Sequence, residues 1–120
     1  MKKFISNFLL LLVFLSVNAL KAQDTAVVKN SDGTATVKIK TSAICDQCKD
    51  RIEGQVNLMK GVKKATLDTA TKVLTVNYDP GKTSPDKIRS VISHTGYDAD
   101  DVKADPNAKS RLPGCCRKPE

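Results

Sequence analysis

Four cysteines hold the chemistry that this 120-residue chain can do: Cys45 and Cys48 in a Cys45-Asp46-Gln47-Cys48 motif, and the adjacent pair Cys115-Cys116 near the end. A CxxC puts two soft sulfur ligands on one loop, about one helical turn apart. Its second cysteine falls near the start of a helix-like segment, where the partial positive charge favours thiolate over thiol. Two thiolates so placed suit a soft ion such as Cu(I), or thiol–disulfide exchange. No G-x-S-x-G, H-E-x-x-H or glycine-rich phosphate loop is present, and His94 is the sole histidine, so hydrolase chemistry has no base or ligand set to work with.

The elements flanking the motif can be read from periodicity. Thr34–Thr41 alternates, with Ala35, Val37 and Ile39 on one face and Lys38 and Lys40 on the other, as a half-buried strand does. Cys48, Ile52, Val56 and Met59 follow at helical spacing and share a narrow face, with Gly61 where a C-terminal cap would fall. Residues 62–68 and 72–78 form two strand candidates joined by a short turn, and Asp79-Pro80-Gly81 ends the second. Ser84-Pro85 supplies an N-cap and a first-turn proline for a helix with Ile88, Val91, Ile92 and Thr95 inward, stopped by Gly96. Residues 97–102 are a candidate last strand, weakened by Asp98, Asp100 and Asp101. The order β-α-β-β-α-β predicts an α+β, ferredoxin-like fold: a four-stranded antiparallel sheet with two helices on one face.

Residues 1–22 have the form of a secretory signal: Lys2 and Lys3, a dense apolar run over 8–15, and small-residue cleavage sites after Ala22 or, second, Ala19. The apolar run is too short to span a bilayer comfortably. The expectation is therefore export, to the periplasm or beyond, with no membrane span in the mature form. Cleavage would remove Lys2, Lys3 and Lys21 and no acid, taking the formal net charge from +7 to +4. With basic residues scattered among acids and only Tyr78 and Tyr97 left as aromatics, nucleic-acid binding has no platform. The expected organisation is signal 1–22, polar lead-in 23–33, one domain over 34–102 and a flexible tail, 103–120.

With these elements in place, the sequence resembles the heavy-metal-associated domain family, which includes copper chaperones, amino-terminal modules of copper-pumping ATPases and periplasmic mercury-binding proteins. The markers are Cys45-x-x-Cys48, Ile52-Glu53, Val56, Met59, Gly61-Val62, Tyr78-Asp79-Pro80, Ile88, Ile92 and Gly96-Tyr97. The resemblance implies that Cys45 and Cys48 bind a soft ion, Cu(I) first, with Hg(II) or Zn(II) open, and pass it on. The recipient would be a metal-transporting membrane protein or another metal-binding protein. It implies a monomeric binding module and no enzyme; a thiol–disulfide redox protein using the same CxxC is the alternative. Ser42-Ala43 stands where the family usually has Gly-Met.

Secondary candidates surround the motif. His94 has a helical phase opposite to Ile88 and Ile92, so a surface role outweighs ligation. Tyr97 is placed to pack beside the metal loop, or at the core edge. Met59 is a core residue, and Lys40 and Lys49 belong to a solvated face. About 13 residues separate Val102 from Cys115, enough for roughly 40 Å of extended chain, while a domain of about 70 residues has a radius of gyration near 11 Å. The tail can therefore return to the CxxC loop, and Cys115 and Cys116 are expected to assist there as extra ligands or as a relay.

Overall fold

A computed structural model describes residues 27–117. The expected signal segment lies outside the described residues. The elements run β1 (Val27–Lys29), β2 (Ala35–Lys40), α1 (Asp46–Asn57), β3 (Val62–Asp68), β4 (Val73–Tyr78), α2 (Pro85–Thr95) and α3 (Pro106–Ser110), with a 3-10 turn at Gly114–Cys116. The sheet order is β1-β2-β4-β3, every neighbouring pair antiparallel. The ferredoxin-like class is as expected, with the helices packed on one face.

Each strand face is the one that alternation dictates. Ala35, Val37 and Ile39, then Ala65 and Leu67, then Leu74, Val76 and Tyr78 are buried beneath Cys48, Ile52 and Val56 of α1 and Ile88 and Ile92 of α2. Register keeps the buried positions opposite one another, with Val37 facing Val76 and Ile39 facing Leu74. Ser84 caps α2 by accepting from the Lys87 N–H, Pro85 opens the helix, and Gly96 closes it in a left-handed conformation at φ 109°. Helix α1 ends earlier than its apolar stripe suggested, at Asn57, leaving Met59 half-buried against the core. Gly61 serves the following turn at φ 94°, where a side chain would collide with Lys82.

The fourth strand is a correction. Residues 97–102 do not form it. Asp100 sits at φ 52°, and Ala99 and Val102 exchange backbone hydrogen bonds in a tight turn that cannot continue an extended ladder. The place is taken by β1, folded back on β2 through the Asn30–Thr34 turn, where Gly33 has φ 86° and Asp32 accepts from Thr34. The outer edge of β2 is thus shared. β1 covers residues 35–37, and the 99–100 segment meets its far end through the Thr41–Ala99 bridge and the Asp100 N–H to Lys40 carbonyl bond. At the opposite edge, side chains of α1 take up β3 backbone groups: Glu53 accepts from the Leu67 N–H, and Asn57 both accepts from and donates to Ala65.

A second correction concerns the expected flexible tail. Residues 103–117 fold onto the domain. Asp105 caps α3 by accepting from the Asn107 and Ala108 N–H groups, Pro106 fills the first position, and Leu112 and Cys116 are buried in the same core as the sheet.

Candidate functional site

The loop between β2 and α1 is built from short polar residues. Thr41 Oγ1 donates to the Lys72 carbonyl, Ser42 Oγ accepts from the Asp98 N–H, and Ala43 is buried. The departure at Ser42-Ala43 therefore has a structural counterpart: hydrogen bonds to the turn before β4 and to the segment after α2 fix the loop, with the small Ala43 buried in it. Cys45 follows as the N-cap residue of α1, with extended backbone (φ −154°, ψ 170°), and Cys48 lies in the first turn.

Three sulfurs surround that of Cys45. Cys45 Sγ is 3.1 Å from Cys48 Sγ and 3.4 Å from both Cys115 and Cys116, which are 3.8 Å from each other. All four cysteines are free thiols. Cys45 is the hub, half-exposed; Cys48 and Cys116 are buried, and Cys115 is exposed. Gln47, from within the motif, accepts a hydrogen bond from Cys115 Sγ at 3.1 Å.

The thiols are not equivalent. The Cys48 thiol hydrogen-bonded to Cys45, aided by the Cys48 backbone N–H and the tail thiols and opposed by partial desolvation, pulls Cys45 down to about 7. The hydrogen bond between Cys45 and Cys115 holds Cys115 above the ordinary thiol value, and burial pushes Cys116 up further. The lowered thiol is that of the N-cap cysteine, the first of the motif. Tyr97 is 1% exposed, and its hydroxyl has no hydrogen-bond partner. It is held protonated by burial, with the Cys116 and Cys48 thiols close enough to reinforce the effect. Sequence reasoning placed Tyr97 near the loop but missed this orphan donor. His94 is exposed and lines an open groove with Arg51, Gln55 and Thr95. Among the described residues, the metal-capable cluster is Cys45, Cys115 and Cys116; it includes neither Cys48 nor His94.

Clustered thiols at a helix start on a ferredoxin-like sheet make a metal-binding module able to coordinate a soft ion. Residues 42–98 match the heavy-metal-associated domain. A copper-exporting P-type ATPase of Staphylococcus aureus (strain JH9) is 41% identical over 59 residues, which is 49% of this chain and 7% of the ATPase. The N-terminal domain of a potential copper-translocating P-type ATPase from Bacillus subtilis, solved in the Cu(I)-loaded state, is 26% identical at a TM-score of 0.54. That match covers 56% of this chain and 85% of the domain. Oxidized MerP from Ralstonia metallidurans is 25% identical at a TM-score of 0.53, covering 56% and 94%.

These relatives correct the expected location. Placement of the mature chain in the periplasm or outside the cell does not stand, because the ATPase relatives carry this module as part of a membrane pump rather than as an exported protein. Among the described residues, no helix is long and apolar enough to cross a membrane.

Proposed function

We propose that this protein binds one soft d10 cation, Cu(I) ahead of Hg(II) and Zn(II), through Cys45 and Cys48, and passes it to a thiolate-bearing partner such as a metal-transporting ATPase. The observation that carries the reading is the Cys45–Cys48 pair, 3.1 Å apart, with Cys45 held near 7 so that a thiolate is available at neutral pH. Soft sulfur ligands select such ions over hard cations. The copper-exporting and Cu(I)-loaded relatives support the choice of ion and of partner class.

Transfer needs no change of oxidation state. An incoming thiolate bonds to the ion, one resident sulfur leaves and takes up a proton, and the ion stays bound throughout. Reduced protein should take up close to one Cu(I) per chain in an anaerobic titration. Tight uptake that survives Cys45→Ser with Cys48→Ser would overturn the assignment.

A further inference from the structure

Resting on that reading, the geometry points to a site larger than the CxxC: Cys45, Cys115 and Cys116, with Cys48 beside Cys45, form a sulfur cage, open at Cys115, in which the ion is held by at least three sulfurs. The tail pair lies outside residues 42–98, the part shared with the domain family. The Sγ atoms of Cys45, Cys115 and Cys116 all lie within 4.8 Å of one another.

The spacings argue for coordination number. With metal–thiolate bonds of about 2.3 Å, two sulfurs on one ion lie about 4.6 Å apart if linear, about 4.0 Å if trigonal and about 3.8 Å if tetrahedral. The 3.8 Å between Cys115 and Cys116 matches a tetrahedral ion, the two 3.4 Å contacts fall about 0.4–0.6 Å short of the tetrahedral and trigonal values, and the 3.1 Å between Cys45 and Cys48 is farthest from the linear one. A linear two-sulfur ion would require Cys45 and Cys48 to move apart by about 1.5 Å, whereas an ion among Cys45, Cys115 and Cys116 needs about 0.4–0.6 Å at two contacts and about 0.2 Å or less at the third.

The tail is also anchored. Ser93 Oγ donates to the Lys103 carbonyl at 2.7 Å, and the Ser93 carbonyl accepts from the Asp105 N–H at 3.0 Å. Asp98 clamps both halves of the cage: its N–H bonds to Ser42 in the motif loop, and its carboxylate accepts from the Ala104 N–H in the tail. Helix α3 passes so close to Gly96 that a Cβ there would lie 3.1 Å from the Ala108 backbone. Leu112 and Cys116 are then buried, which sets Cys115 over the loop. Cys115 is the exposed member, held by Gln47 and Cys45, so it is the sulfur that yields when a partner's thiolate arrives.

The test is the sulfur coordination number of Cu(I) bound to the full chain, from X-ray absorption, together with retention against a chromophoric Cu(I) chelator. Wild type should show three or four sulfurs. Cys115→Ser with Cys116→Ser should show two and lose at least tenfold in retention. Cys115→Ser alone, at an exposed position, should also lose retention without disturbing the fold. Two sulfurs in wild type would overturn the cage. Three or four sulfurs kept by the double variant would also overturn it, since a second copy must then supply them. Absence of uptake by wild type would overturn the underlying binding reading as well, and loss of uptake only in Cys45→Ser with Cys48→Ser, with the tail variants unchanged, would overturn the cage alone.

Discussion

Alkylation of the metal-free protein separates two rankings of the cysteines. Accessibility alone makes Cys115 the fastest thiol, because it is the exposed one. Electrostatics makes it Cys45. Lowering a thiol from 9.0 to about 7 raises its thiolate fraction at pH 7 from about 1% to about one half, roughly 50-fold. Intrinsic nucleophilicity falls with pKa at a Brønsted slope of about 0.4–0.5, which over two units returns about 6- to 10-fold. The net expectation is that Cys45 reacts with iodoacetamide about 5- to 8-fold faster at pH 7 than an ordinary thiol of equal access. Cys115 should lag because its hydrogen bond with Cys45 keeps its thiol protonated, and Cys116 should be protected by burial. Peptide mapping by mass spectrometry across pH 5.5–9 gives each rate; that of Cys45 should have a midpoint near 7 and move up in Cys48→Ala, which removes the principal cause. A Cys45 midpoint at or above 9, or Cys115 reacting first at pH 7, would refute the reasoning.

Other expectations concern the frame around the site. Gly96→Ala should destabilise the metal-free protein by about 1–3 kcal/mol, from its positive φ and the tail backbone above it, whereas Gly54→Ala, with open space around it in α1, should stabilise by about 0.5–1 kcal/mol. Denaturant unfolding reads both, and equal signs would contradict the local geometry. Arg89, buried and bonded to Asp100 at 2.9 Å and Asp86 at 2.7 Å, should cost about 1–3 kcal/mol as Arg89→Met, while Asp86→Asn, whose carboxylate is exposed, should cost under about 1 kcal/mol in the same assay. Tyr78 and Tyr97 are both raised by burial. The unfolded chain therefore releases its phenolic protons first, and stability falls as pH climbs above 10. Absorbance at 295 nm should rise together with unfolding; a rise near pH 10 with the far-ultraviolet circular dichroism intact would show the rings are not so held.

What could be read in advance was whatever is written locally. The alternation of Ala35, Val37 and Ile39 gave the face of β2, and Ser84-Pro85 with Gly96 gave both ends of α2. The cysteine pair between strand and helix named itself. The fourth strand was not legible in the same way, because alternation marks a strand but not its neighbour. Val27 and Val28 are exposed and carry no buried stripe, although Asp32-Gly33 before an alternating run was an available hairpin signal. Asp105-Pro106 repeats the cap-and-proline pattern of Ser84-Pro85, yet it sits among prolines and charges that read as loop. Leu112 was the one apolar hint that the segment docks. Chain length showed that the tail could reach Cys45; it could not show that Ser93 and Asp98 would hold it there, since those hydrogen bonds exist only once α2 is formed and packed. The lowered thiol is likewise a tertiary outcome, set by which sulfur donates to which.

The anchored tail also sets which reagents can act at Cys45. A thiol on a short flexible tether is present at an effective concentration in the millimolar range, and one already oriented 3.4 Å away acts at a concentration far beyond that. Small thiols free in solution at millimolar levels therefore compete poorly with Cys115 for anything bound to Cys45. Another protein competes only by docking, so that its own sulfur becomes a local group too. The tail thereby converts a chemically promiscuous exchange between sulfurs into one that depends on a matching surface.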